Sequence, residues 1–256
     1  MTSSVAKLPR KQTQIPPAEW QVRVDLAACY RLVAHHGMTD GVLTHISARV
    51  PGKEEHFLIN PYGQLFDEIT ASSLVKIDLD GNVLEETEYD VNQAGFVIHS
   101  AIHSARPDVV CVLHTHTVAG MAVSAQADGL LPLTQSSMRF YNRLAYHDFE
   151  GIALDLDERS RLIADLGDKY AMMLRNHGLL VAGRTVAEAW SLIHSLEKSC
   201  QSQLAAQSGG VKLNPVPPAV CEHTAQQMWR SNEPGGKLGW PAYLRMLDKL
   251  DPSYKQ

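Results

Sequence analysis

The octapeptide Val109-Val110-Cys111-Val112-Leu113-His114-Thr115-His116 decides how the rest of the chain is read. Its first five residues are β-branched or otherwise apolar, without a charge or a turn former, as in a buried strand. A helix is expected just before it. Phe96, His99 and Ile102 recur at helical spacing behind a cap at Asp90 with Gln93 three residues on, and Pro107 stops the run. Beyond it, Ala171 to Leu174 and Leu179 to Val181 form a second strand pair around Arg175-Asn176-His177-Gly178. Thr185 and Glu188 open a long helix that Gly209-Gly210 closes. Toward the N-terminus, a helix carrying Leu26, Ala27, Tyr30, Val33 and Ala34 runs from Pro16-Pro17 to Gly37. Strands are expected over 41–50, 56–60 and 74–84, the last turning at Asp80-Gly81. Asn214 to Pro218 reads as a loop, and a terminal helix follows Trp240-Pro241. Mixed elements of this kind predict an α/β sandwich, although periodicity leaves the strand order open.

The two histidines that end the octapeptide carry the chemistry. Side chains two apart on a strand point to the same face, so His114 and His116 stand side by side. Protonated, they repel; buried singly, each needs a partner. A divalent metal resolves both costs by taking one nitrogen from each neutral ring. His177 supplies a third ligand from another strand end, where Gly178 permits close backbone approach. Three histidines with an open position describe a catalytic metal site, since structural zinc is closed by four ligands. The bland alternative is a set of hydrogen-bonded polar residues at strand ends.

Bulk properties remove other classes. The 256 residues are 45% apolar and 20% charged, with a net charge of −5 spread without blocks. That suits one large domain over residues 19–256, ending in a helical extension, behind an extended or disordered segment 1–18. No basic stripe points to nucleic acid. No apolar run approaches a membrane span, and the polar N-terminus lacks the apolar core of a signal peptide. A cytoplasmic address is the default. Cys29, Cys111, Cys200 and Cys221 form no CxxC pair, and the first three sit within apolar patterns as buried free thiols do.

Four motifs in order carry a resemblance: Thr44-His45-Ile46-Ser47-Ala48-Arg49, Asn60-Pro61-Tyr62-Gly63, His99 through Arg106-Pro107-Asp108 to His114-Thr115-His116, and Arg175-Asn176-His177-Gly178. From about Trp20 to Gln207 the chain resembles the class II aldolase/adducin family. The resemblance implies a three-layer α/β/α sandwich and one divalent ion per subunit on His114, His116 and His177. That ion is zinc by preference, with manganese or iron as alternatives. It also implies a homotetramer with sites between subunits. Ala94-Gly95-Phe96, the segment from Thr70 to Lys76, and Tyr146-His147-Asp148 bring the chain nearest the adducin-like branch.

The departures shape the functional expectation. Sugar-phosphate aldolases of the family carry a Ser-Ser-Glu whose glutamate is both metal neighbour and acid/base; here the stretch reads Gln93-Ala94-Gly95. Their Asn before Ile-Ser becomes His45, a small hydroxyl residue becomes Tyr62, and their proton-donor tyrosine falls at Gln135 or Ser136. A phosphate needs several converging donors, and several are gone. The expectation is a metal-dependent lyase performing retro-aldol cleavage or decarboxylation on an unphosphorylated oxo- or hydroxy-acid. The alternatives are a non-catalytic adducin-like oligomerising module and, with iron bound, an oxygenase.

For proton transfer the candidates are His45, Tyr141 and Tyr254, the last reaching the site from a neighbouring subunit. For substrate contact they are Arg49, Asn60 and Gln93. Arg49 suits a bidentate carboxylate contact or an ion pair equally. His99 reads as an orienting residue, His103 as structural, and His147-Asp148 as a turn. The terminal helix, with Trp240, Tyr243 and Leu247 on one side, is expected to pack on a neighbouring subunit.

Overall fold

A computed structural model describes residues 15–53, 55–151, 157–231 and 233–256. Of the segment 1–18 expected to be extended, residues 1–14 lie outside the described residues, and 17 and 18 already belong to the first helix, α1 (Pro17–His35). The strands are β1 (His45–Arg49), β2 (His56–Ile59), β3 (Val75–Asp78), β4 (Cys111–Thr115), β5 (Ala145–His147), β6 (Ala171–Leu174) and β7 (Gly178–Gly183). They form one sheet in the order β3-β2-β1-β4-β7-β6-β5, antiparallel throughout except where β5 joins β6. The apolar strand β4 takes the centre and is buried along its whole length. The remaining helices are α2 (Gln93–Ala105), α3 (Val118–Ser124), α4 (Gln135–Met138), α5 (Glu158–Leu166), α6 (Val186–Ser208), α7 (Pro218–Met228) and α8 (Trp240–Leu250).

Strand alternation sorts side chains into two layers. Ile46, Ala48, Cys111 and Leu113 enter a large core with Leu26 and Tyr30 of α1 and Trp190 and Leu196 of α6. Val112 and Leu180 face the other way, onto Ile98 and Ile102 of α2 and Leu162 of α5. The result is the three-layer α/β/α sandwich. His45, Ser47 and His114 belong to the α2 face, because His45 pairs with His114 and Ser47 with Val112 in the β1–β4 register.

Three expectations are corrected in detail. Helix α2 is capped by Asn92, whose Oδ1 accepts from Gly95 N–H at 3.4 Å, while the Asp90 carbonyl accepts from Tyr62 N–H at 2.8 Å. The side chains of Gln93, Ala94 and Phe96 lie outside the described residues. The strand expected over 74–84 keeps only its first arm. Asp78 accepts from the N–H groups of Asp80 and Asn82, both at 2.9 Å, and the return arm is a single bridge between Ile77 and Val83. The terminal helix α8 lays the side that was expected to meet a neighbour on its own chain. Trp240 Nε1 donates to Asp25 Oδ1 at 2.9 Å, and the Tyr243 ring meets Trp190 edge-on with centroids 5.4 Å apart. The apolar side of α8 thus has a partner in the gap between α1 and α6.

The four cysteines are free and buried. No described helix is long and apolar enough to cross a membrane.

Candidate metal centre

Antiparallel pairing of β4 with β7 sets Thr115 opposite Leu179, so the start of β7 lies beside the end of β4. The reversal from β6 to β7 therefore falls next to the two histidines of β4. Asn176 makes that turn with φ 57°, a left-handed conformation that asparagine tolerates. Gly178 follows because a Cβ there would strike the Thr115 carbonyl. Together these two residues bring His177 onto His114 and His116.

The three ring nitrogens converge. His116 Nε2 lies 2.7 Å from His114 Nε2 and 2.9 Å from His177 Nε2. His114 Nδ1 sits 2.9 Å from the Leu179 carbonyl and His116 Nδ1 3.0 Å from Asp40 Oδ2. Both partners only accept, so the ring proton resides on Nδ1 and each Nε2 offers a lone pair. Lone pairs facing one another at these distances repel unless a cation lies among them. Burial pushes His114 well below its ordinary pKa, helped by its neighbours His177, His116 and His45 and opposed by the Leu179 carbonyl. Burial, then His116 and His147, push His177 down to about 4. Rings that turn one nitrogen outward onto a carbonyl or a carboxylate and the other inward are the donor set a divalent metal takes. Their ligand atoms lie within 4.8 Å of one another.

His45 borders this centre. Its ring centroid is 5.3 Å from that of His114, and its Nδ1 lies 2.7 Å from His99 Nε2. Burial, with His99, His116 and His177 nearby, pushes its pKa well below the ordinary value.

Other expected site residues are placed elsewhere. The Arg49 guanidinium donates to the carbonyls of His103, Arg106 and Val109 and so fastens the end of α2 to β1. Asn60 is on the α1 face, where its Oδ1 accepts from the Tyr30 hydroxyl at 2.8 Å. Both side chains are engaged within the fold. Tyr254 is buried against α1 in its own chain and donates to Asp248 at 2.8 Å. Tyr141 lies on the turn after α4, with no hydrogen bond or ring contact to the triad among the described residues. Gln93 begins α2, and its side chain lies outside the described residues.

Two features escape a reading of the sequence. Asp40 anchors His116 across 76 positions, but Asp40-Gly41 carries no signal beyond that of a turn. His147 belongs to a strand, where it lies 2.7 Å from Asp165 Oδ2 and 3.3 Å from Glu158 Oε1.

With the site described, comparison with known proteins is direct. The family described as Class II Aldolase and Adducin N-terminal domain matches residues 24–204. The crystal structure of an aldolase II superfamily protein from Pseudomonas syringae is 53% identical, with a TM-score of 0.92, over 96% of this chain and 99% of that one. L-fuculose 1-phosphate aldolase from Glaciozyma antarctica PI12 is 30% identical, with a TM-score of 0.83, over 93% of each chain. Alpha-adducin from Rattus norvegicus is 45% identical over 248 residues, which are 90% of this chain and 33% of that longer protein. Matched in family over most of its core and in structure over nearly its full length, this chain belongs to the class II aldolase and adducin N-terminal domain family.

Proposed function

We propose that the protein is a metal-dependent carbon–carbon lyase for an unphosphorylated oxo- or hydroxy-acid, with His45 as its acid–base group. One observation carries the second half of that reading. A Cβ at Gly95 would lie 2.6 Å from His45 Cδ2 and 3.1 Å from its Nε2. Position 95 is where the sugar-phosphate aldolases of the family carry their glutamate. The imidazole of His45 fills the space beside that position, so an acid–base group is supplied from β1 in place of α2.

His114, His116 and His177 would hold the ion, with Asp40 and the Leu179 carbonyl fixing the first two rings. A divalent ion bound there would act as a Lewis acid toward substrate oxygens. The protein's own part is proton management. In a retro-aldol cleavage His45 Nε2 accepts the substrate hydroxyl proton, the carbon–carbon bond breaks, and its electron pair stays on the carbon next to the carbonyl. The proton then returns to that carbon. Its lowered pKa keeps the His45 ring unprotonated at rest, free to take that proton and to return it.

The donors around the site favour an unphosphorylated substrate. Asn60 is turned toward Tyr30 on the opposite face, and Tyr62 stands where the family's turn has a small hydroxyl residue. Likeness to an L-fuculose 1-phosphate aldolase supports lyase chemistry on this scaffold, and the phosphate named for that enzyme is not carried over. The likeness to alpha-adducin supports a second reading, a non-catalytic oligomerising module.

Metal analysis of purified protein, combined with a panel of oxo- and hydroxy-acids, separates the readings. The lyase reading expects a bound divalent ion, metal-dependent cleavage of at least one panel member, and loss of both in His114→Ala. Failure of metal-loaded protein to cleave any member sinks it. Weakened assembly in His114→Ala without any ligand-induced thermal shift would favour the adducin-like module. Oxygen uptake on added iron would favour an oxygenase.

A further inference from the structure

Three histidines and a serine stand in single file beneath α2. His45 Nδ1 lies 2.7 Å from His99 Nε2, His99 Nδ1 lies 2.6 Å from Ser47 Oγ, and Ser47 Oγ lies 2.7 Å from His103 Nε2. Two periodicities build the file: residues 45 and 47 share one face of β1, and residues 99 and 103 are one turn apart on α2. All four are buried. Holding the metal needs none of His99, Ser47 or His103, and a half-satisfied polar file costs more than an apolar core of the same shape. Its purpose lies in where it places protons.

A neutral imidazole has one N–H and one lone pair, and a hydroxyl donates once. The three contacts are therefore all satisfied only when every proton points the same way along the file. Two directions exist, and the far end chooses between them. His103 is neutral: burial pushes it down to about 3, the charge of Arg49 adds to that, and the Val109 carbonyl opposes it. Its Nδ1 makes no full hydrogen bond. The Val109 carbonyl opposes that shift as a hydrogen-bond acceptor and can only accept, so a proton on Nδ1 is favoured over a lone pair. His103 Nε2 then accepts from Ser47, Ser47 accepts from His99 Nδ1–H, and His99 Nε2 accepts from His45 Nδ1–H.

We infer that His99, Ser47 and His103 are positioning residues, forming a one-way hydrogen-bond chain that holds His45 in its Nδ1–H tautomer with the Nε2 lone pair bare beside His114. Nε2 has no hydrogen-bond partner among the described residues. The chain ends in a buried ring tilted onto Phe57, with centroids 5.0 Å apart, so a proton taken up by His45 has no exit through it. It goes back to the substrate. The catalytic consequence rests on the lyase reading above, whereas the tautomer does not.

The test is a two-bond 1H–15N correlation spectrum of the full-length protein, metal-loaded as isolated and 15N-labelled at histidine, at neutral pH. Signals are assigned from His→Gln variants at 45, 99 and 103. The inference expects all three rings neutral and protonated on Nδ1. It also expects His45 and His99 to become tautomer mixtures in Ser47→Ala, with kcat lowered more than KM is raised. His45 protonated on Nε2, or mixed tautomers in the parent, overturns it, and that result needs no variant of Ser47 to fold. Unmixed tautomers in a folded Ser47→Ala also overturn it. If the tautomers are as expected but no acid is cleaved, the lyase reading fails and the chain stands.

Discussion

Gly95 is the residue on which the site's geometry turns. A methyl group there would meet His45 Cδ2 at 2.6 Å and Cγ at 2.8 Å, well inside van der Waals contact. The ring cannot swing clear without breaking its 2.7 Å contact with His99. In an open helix, replacing glycine with alanine gains up to about 1 kcal/mol. Overpacking against a pinned ring costs about 1–3 kcal/mol. The clash wins, so Gly95→Ala is expected to lose about 1–2 kcal/mol in thermal unfolding. Turnover should fall further than metal content, because the ligands are not the residues that move. A variant at least as stable as its parent would show the His45 ring free to shift, and would remove the case for it as a fixed acid–base group.

At the scale of elements, Arg49 works as the fastening between β1 and α2. Its guanidinium serves the carbonyls of His103 and Arg106 at the helix end and of Val109 beyond it. Hydrogen bonds from charged groups contribute about 1.5–3 kcal/mol, and a cation at a helix C-terminus is favoured by the helix dipole. Arg49→Ala is accordingly expected to lower stability by about 1.5–3 kcal/mol while leaving KM for a cleaved acid nearly unchanged. A raised KM with unaltered melting would restore the carboxylate-binding role. Sequence patterns reach the long elements here and stop at the short ones. β4, the β6–β7 pair, α1 and α6 announce themselves through apolar runs, caps and terminal glycines. The histidine cluster follows, since strand parity puts His114 and His116 on one side and Gly178 marks the close approach of β7. The short β5 is carried by only Ala145, Tyr146 and His147, too few for a period, so its pairing with β6 had no local signal. For Arg49, Asn60 and Asp40 the residue type was informative and the direction was not. Direction depends on which face of which strand meets which helix, and that is fixed by strand order.

For the whole molecule, the C-terminal residues decide between a domain closed by its own tail and one completed by a neighbour. Leu247 and Tyr254 are buried in the principal core, and Trp240 and Tyr243 pack against it. The Tyr254 carbonyl also accepts from Ala71 N–H at 2.9 Å, which ties the terminus to the loop before β3. Burying a large side chain is worth about 1.5–3 kcal/mol, so losing Leu247 and Tyr254 alone costs roughly 3–6 kcal/mol, a large share of a typical domain's 5–15 kcal/mol. At about 2–4 °C per kcal/mol for a chain of this size, deletion after Gly239 is expected to lower Tm by roughly 6–24 °C. Because these contacts lie within one chain, the loss should be the same at every protein concentration. A tail that instead completed a neighbouring subunit would give a parent whose Tm rises with concentration, and a truncated form that is smaller by light scattering yet nearly as stable. The homotetramer that the family resemblance implies is compatible with the first outcome, provided its interface uses surfaces other than the inner side of α8. Melting both forms across a hundredfold range of concentration distinguishes the two, and a concentration-dependent gap between them would return α8 to the subunit interface.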